Sequence, residues 1–175
     1  PPQAAYFHCA NRNKQSIAID ISSSAGQQVV KDLIAQADVL VENYKVGGLK
    51  KYGLDYQQVK LINPKLVYCS ITGYGQTGCL KDRAGHDLNY LSLAGLASFS
   101  GTKATGPVLS GTQIADIAGG SHHAVIGILA AVIQRSVTGE GQHLDISMTD
   151  AAFALTGMFG AGAVEAEIDP TPGGN

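Results

Sequence analysis

Polar and apolar positions alternate along Ser16-Ile17-Ala18-Ile19-Asp20-Ile21, the two-residue period of a half-buried strand. Ser22-Ser23-Ser24 follow with hydroxyls suited to capping a helix, and Val29, Val30, Leu33, Ile34 and Ala37 then recur at helical spacing. Asp38-Val39-Leu40-Val41-Glu42 predicts a short buried strand, and Asn43 to Leu54 a loop with at most a short helix. Asp55 caps a further helix through Ile62, which Asn63-Pro64 stops because a residue before proline is driven out of the helical region. Leu66 to Ile71 is another strand. Strands alternating with helices at this spacing predict parallel βαβ units, hence an α/β chain built on a doubly wound sheet.

The texture changes beyond Thr72. Gly73 to Asp87 is a long glycine-containing loop, of a length that in compact domains tends to carry function. Leu88 to Ser98 reads as a helix and Phe99 to Gly111 as a flexible loop. A long helix is expected from about Ile117 to Arg135, with Ile126, Ile128, Leu129, Val132 and Ile133 mostly buried. Thr138-Gly139-Glu140-Gly141 turns into a strand at His143 to Ser147. A last apolar helix, from about Thr149, carries Ala151, Phe153, Ala154, Leu155 and Met158.

Charge narrows the function classes. Twelve Lys and Arg against fourteen Asp and Glu give a formal net charge of -2, with no basic stripe of the kind a nucleic-acid binder carries. Hydrophobic residues make up 45% and charged residues 15%, a composition in which some surface is expected to be covered by a partner or by further chain. The longest apolar run, Ala124 to Ile133, is too short to span a bilayer, so no membrane partner is expected. Cys9, Cys69 and Cys79 form no C-x-x-C pair and read as reduced thiols, which points to a cytoplasmic setting. Both ends look like the interior of a longer chain.

Three groups of residues carry candidate chemistry. Gly73-Tyr74-Gly75-Gln76-Thr77-Gly78 matches G-x-G-x-x-G after a strand, but a dinucleotide site needs a helix to begin inside the motif, and Cys79-Leu80-Lys81-Asp82-Arg83 shows no helical period. A flexible loop after a strand end is the better reading, at the end of a parallel sheet where ligands bind. Asp116 stands immediately before the most apolar helix, where it is either an N-cap or a functional carboxylate. Capping leaves Gly119 and Gly120 unexplained, since each costs about 1 kcal/mol against Ala inside a helix; close approach of a substrate would account for them. His86 ends the long loop within Arg83-Ala84-Gly85-His86-Asp87-Leu88-Asn89-Tyr90, a dense run of chemically able side chains. His122-His123 lacks an evident third ligand, so no metal is expected.

These segments resemble one family. Arg83 to Leu91 looks like the A-G-H-D-[IL]-N-Y-L signature of α-methylacyl-CoA racemases, within the class III CoA-transferase (CaiB/BaiF) group. Asn11-Arg12-Asn13-Lys14-Gln15-Ser16-Ile17-Ala18-Ile19-Asp20 and Asp38 to Tyr44 resemble two further segments of that family, and Gly73 to Gly78 and Thr138 to Gln142 match in order. Val46 departs from the pattern, standing where a proline is common before Gly47. The resemblance implies a Rossmann-like parallel sheet with flanking helices, residues 1–175 being the central part of the large domain, and an interlocked homodimer for the full-length protein. It implies an acyl-CoA thioester as partner and no cofactor beyond the CoA of the substrate.

By position, the resemblance makes Asp116 the catalytic carboxylate and His86 the racemase imidazole, where the transferases tend to carry an aromatic residue. It assigns Gly85, Asp87, Leu88, Asn89 and Tyr90 to substrate binding. Ile19, Asp20, Ile21, Ser22, Asn43 and Tyr44 fall to the CoA site, with Arg83 as a phosphate contact. A glutamate that supports the racemase histidine is expected beyond Asn175. The implied reaction is inversion at the carbon next to the thioester, one face served by His86 and the other by Asp116. The alternatives are a class III CoA-transferase, in which Asp116 forms an acyl anhydride, and an inactive CoA-binding fragment.

Overall fold

In the computed structural model, residues 4–165 are described. Three strands form one sheet in the order β1 (Val39–Glu42), β2 (Val67–Thr72), β3 (His143–Ser147). All pair in parallel, with Glu42 opposite Ser70 and Thr72 opposite Ser147, so their carboxyl ends open on the same side. Parallel pairing demands crossovers, and helices supply them. The helices are α1 (Ala5–Ala10), α2 (Ser24–Ile34), α3 (Tyr56–Ile62), α4 (Asp87–Leu93), α5 (His123–Thr138), α6 (Met148–Ala154) and α7 (Gly157–Glu165). The predicted α/β class and parallel topology hold.

Local chemistry explains most boundaries. Ser23 Oγ accepts the backbone N–H of Gly26 at 3.0 Å and so starts α2. Asn63 ends α3 and donates from Nδ2 to the carbonyls of Ile34 and Ala37 at 3.0 and 2.9 Å, tying α3 to the end of α2. Ile34, Leu49, Leu54, Val59, Leu66 and Tyr68 form the apolar core on this side of the sheet. Arg135, near the end of α5, donates to the carbonyls of Asp38 and Lys65 and to the Asp38 carboxylate at 2.9–3.1 Å, pinning that helix to the starts of β1 and β2.

Several expected elements differ. The alternating segment Ser16 to Ile21 is not a strand: Ser16, Ile17 and Ala18 are exposed with no ladder partner, and the Asp20 carboxylate folds back on Ser22 N and Oγ at 2.9 and 2.6 Å. The single helix expected over Leu88 to Ser98 breaks at Gly95, which has φ +76°, into α4 and a 3₁₀ turn, Leu96–Phe99. The last apolar helix is likewise two, α6 and α7.

The long helix begins earlier than expected, with a π-helical segment, Ala115–His122, that runs into α5. Asp116 is therefore not an N-cap but lies in the first turn. Gly119 and Gly120 face protein: an added Cβ would stand 3.1 Å from Met148 O at the first and 3.1 Å from Met148 Cγ at the second. These glycines let the widened turn pack against α6, which corrects the expectation that a substrate needs their space. Together Ala115–Thr138 make 24 residues of mean hydropathy 1.4 in the most apolar window, long and apolar enough by length and composition to cross a membrane. Here Gly127 packs on Leu144 and Ile146 of β3, the arrangement of a sheet-covering helix. The expected burial of Ile126, Leu129 and Ile133 fails: they are 63, 59 and 68% exposed, and Ala124 and Ala131 are the buried positions. Small residues face the sheet, and the larger ones line an outer face uncovered among the described residues.

Candidate functional site

A cleft of about 550 Å³ opens at the carboxyl ends of β1 and β2. Ile71, Thr72 and Gly73 form its floor, Asn43 to Val46 one wall, and Lys81 to His86 with Tyr90 another. Parallel strands place their exit loops together at this end, which is why ligands collect there in open α/β sheets. The G-x-G-x-x-G loop is tied to β3: Gln76 N–H is shared between the two Asp145 carboxylate oxygens at 3.1 and 2.9 Å. No helix begins until Asp87, so the motif lacks the helix N-terminus that a pyrophosphate requires.

Six predicted residues line this cleft: Asn43, Tyr44, Arg83, Gly85, His86 and Tyr90. Asp87 and Leu88 instead line an adjacent cavity of about 220 Å³. Asn89 turns back, its Oδ1 accepting His86 N–H at 2.9 Å, which fixes the start of α4 and the backbone of His86. Ile19, Asp20, Ile21 and Ser22 do not line either space. Their turn rests on the beginning of α2, where a side chain on the buried Gly26 would collide with Asp20 O.

Asp116 is half-buried and does not line the cleft, yet it is coupled to it. Its backbone N–H donates to Asp87 Oδ1 at 3.0 Å. Burial, reinforced by the nearby Asp87 charge, raises the Asp116 pKa above the ordinary carboxylate value, and His86 pulls it the other way. Tyr90 also titrates high, through burial and then the charges of Tyr74 and Asp116. The structure thus brings His86, Asp87, Tyr90 and Asp116 within electrostatic reach of one another. Chemically, such a group can hold a proton on a carboxyl at higher pH than water would allow, beside an imidazole able to exchange one.

Sequence reasoning missed Lys45, Lys81, Thr72 and Met148. Lys45 and Lys81 add two cations to Arg83 around the cleft, and both flank segments already singled out. Thr72 was legible as a strand-end residue. Its Oγ1 is buried without a hydrogen-bond partner among the described residues, a costly state that a bound ligand would relieve. Met148 joins the cleft from just beyond the carboxyl end of β3, which no local pattern signals.

With this geometry in place, the sequence profile of CoA-transferase family III matches residues 1–175. The chain belongs to CoA-transferase family III. This family III chain is 44% identical over 152 residues to succinate–glutarate CoA-transferase of Agrobacterium fabrum, covering 87% of the chain and 38% of that protein. It is 37% identical over 148 residues to alpha-methylacyl-CoA racemase of Mus musculus, covering 85% and 39%. A crystal structure of a CaiB/BaiF family protein from Brucella suis superposes with a TM-score of 0.92 at 42% identity, covering 98% of this chain and 45% of that one. The family III fold expected from the signature segments is therefore the fold observed. The chain spans less than half the length of these relatives.

Proposed function

We propose that this family III chain forms the catalytic centre of an α-methylacyl-CoA racemase, with His86 and Asp116 exchanging the α-proton across an enolate. The observation that carries the reading is the pairing of an imidazole with a half-buried carboxyl whose proton affinity is raised. In one direction the neutral His86 imidazole takes the α-proton, and the C–H electron pair moves into the thioester carbonyl. The protonated Asp116 then delivers its proton to the opposite face, re-forming the carbonyl. The reverse reaction exchanges the roles, and the raised proton affinity of Asp116 favours the protonated carboxyl that this step needs. The amino end of the helix carrying Asp116 favours negative charge on the enolate oxygen. The CoA moiety occupies the 550 Å³ cleft, its phosphates facing Lys45, Lys81 and Arg83.

A second reading is favoured by the 44% identity to a succinate–glutarate CoA-transferase. There the ionised Asp116 attacks the donor thioester carbonyl and CoA leaves as thiolate. The thiolate then adds to the aspartyl carbonyl of the resulting anhydride, the donor acid leaves, and a second carboxylate takes up the CoA by the same two steps in reverse. One experiment separates the two. In deuterium oxide, the natural full-length protein is expected to place deuterium on the α-carbon of 2-methylhexanoyl-CoA, and His86→Ala is expected to abolish the uptake. Acyl exchange with a free carboxylate, without α-deuterium and surviving His86→Ala, establishes the transferase instead.

A further inference from the structure

Beside the cleft lies the second cavity, of about 220 Å³, between α4, the 3₁₀ turn after it and the approach to Asp116. Its apolar walls come from Leu88, Leu91, Leu96, Val108, Leu109 and Ile114. We infer that this cavity is the acyl-chain subsite, taking an apolar chain of roughly six to nine carbons and rejecting acyl groups that end in a second carboxylate. The inference rests on the proposed acyl-CoA chemistry at His86 and Asp116 and adds the substrate's other end.

Position supports it first. Asp87 belongs to both places: it lines the cavity and accepts the N–H of Asp116 at 3.0 Å. Leu88 lies two residues past His86 and Ile114 two before Asp116, so the same two segments that carry the pair also wall the cavity. Size comes second. A dry cavity of about 150 Å³ holds benzene, so 220 Å³ corresponds to roughly six to nine carbons. Third is charge: Asp87 is the one charged side chain on the cavity wall, and no Lys, Arg or His stands there among the described residues. Its other polar contributors, Ser100, Ser110, Thr112 and Gln113, are neutral. A terminal carboxylate would lose its water and meet a like charge.

The outer wall is built rather than loose. Thr102 and Thr105 exchange side-chain to backbone hydrogen bonds at 3.0 and 3.2 Å, and Ser100 Oγ donates to Val108 O at 3.2 Å. Yet Leu88, Val108 and Leu109 remain 48, 47 and 72% exposed around the opening, apolar surface that an acyl chain would cover.

Calorimetric titration of the natural full-length protein with acetyl-, octanoyl-, succinyl- and glutaryl-CoA tests the assignment. Octanoyl-CoA is expected to bind at least about ten-fold tighter than either dicarboxyl thioester, within the discrimination that an apolar pocket achieves. Val108→Trp, which fills the cavity mouth, should weaken octanoyl-CoA about ten-fold and leave acetyl-CoA within about two-fold. Leu109→Lys, a change at an exposed position, should narrow the gap in favour of succinyl-CoA. Equal binding of octanoyl- and succinyl-CoA overturns the inference, as does a Val108→Trp effect shared by acetyl-CoA in a protein with native circular dichroism. The α-deuterium assay is scored separately: its failure with the octanoyl preference intact removes the racemase reading and leaves the acyl subsite standing.

Discussion

Gly85→Ala offers the most direct check of how the cleft wall is assembled. Gly85 does not have a positive φ, so an alanine there meets no backbone penalty and the cost is steric alone. The added Cβ would stand 2.7 Å from Tyr74 Oη, 2.7 Å from Tyr90 Cε1 and 3.2 Å from Tyr90 Cζ. These are not the ends of flexible chains. Tyr90 is 5% exposed, and the two rings meet edge to face with centroids 5.2 Å apart at 82°. Gly73 also stands close to this ring, since a Cβ there would lie 2.5 Å from Tyr90 Cε1. Two glycines thus clasp one aromatic ring. Overpacking of this kind costs about 1–3 kcal/mol, and disturbing the aromatic pair forfeits up to about 1 kcal/mol more. A total near 2 kcal/mol would lower Tm by about 4–8 °C in a chain of this size. Urea and thermal unfolding followed by circular dichroism give the number. Tyr74→Phe in the Gly85→Ala background should recover part of the loss by removing one of the two closest contacts. A Gly85→Ala protein within about 0.5 kcal/mol of the parent, the range of an ordinary surface change, would refute the packing argument.

Four further outcomes follow from the same geometry. Asp87→Asn keeps an oxygen facing the N–H of Asp116 but removes the charge that helps hold the Asp116 proton, so the limb of the activity profile set by Asp116 should move to lower pH; an upward move contradicts the electrostatics. Thr72→Val removes an unpartnered buried hydroxyl, so Tm should hold or rise while acyl-CoA affinity falls, and unchanged affinity would show that no ligand uses it. Partial burial lowers the pKa of His143, whose Nε2 lies 3.0 Å from Ser70 Oγ, so the unfolded chain takes up the proton first: stability is full above about pH 6.5 and drains as pH falls toward the depressed folded value. His143→Gln should flatten that slope between about pH 7.5 and 5.5, measured as urea midpoints; an unaltered slope assigns it elsewhere. Arg135→Ala removes three donors to Asp38 and Lys65 and should cost about 1–3 kcal/mol, and Arg135→Lys should recover little because a single ammonium does not reproduce the fork.

Much of this was legible in the residues, and the failures share a physical cause. Val39 to Glu42 and Val67 to Thr72 announced themselves as strands because they are short and mostly apolar, and His143 to Ser147 because polar and apolar residues alternate after a turn. Ser16 to Ile21 has the same alternation and is no strand, since pairing depends on a neighbour that a local period does not report. On the long helix, periodicity located the apolar residues but assigned the wrong face to the sheet. Alanines and Gly127 make the close approach, and Ile126, Leu129 and Ile133 point outward. Asn43, Tyr44, Arg83, Gly85, His86 and Tyr90, which the motifs single out, line one cleft. Lys45, Lys81 and Met148 join only because parallel strands set three separate loops side by side.

The π-helical start of the long helix links fold to chemistry. An ordinary α-helix beginning at Ile117 would leave Asp116 as a cap, its carboxylate satisfied by backbone N–H groups and its pKa depressed. Instead the helix begins at Ala115, so Asp116 falls within the first turn and its carboxyl lies half-buried beside Asp87 rather than capping the helix. Extra turns of this type interrupt the regular ladder and recur at functional positions. Gly119 and Gly120 then shape the surroundings of Asp116 indirectly: by admitting Met148 and α6 against the turn, they allow the widened geometry to persist. Gly120→Ala should accordingly disturb the Asp116 titration as well as stability, because the added Cβ would stand 3.1 and 3.2 Å from Met148 Cγ and Sδ. Adding Met148→Ala should relieve that contact and restore the titration. A Gly120→Ala protein that loses stability while Asp116 titrates as before would separate the helix packing from the carboxyl's environment and end the connection drawn between them.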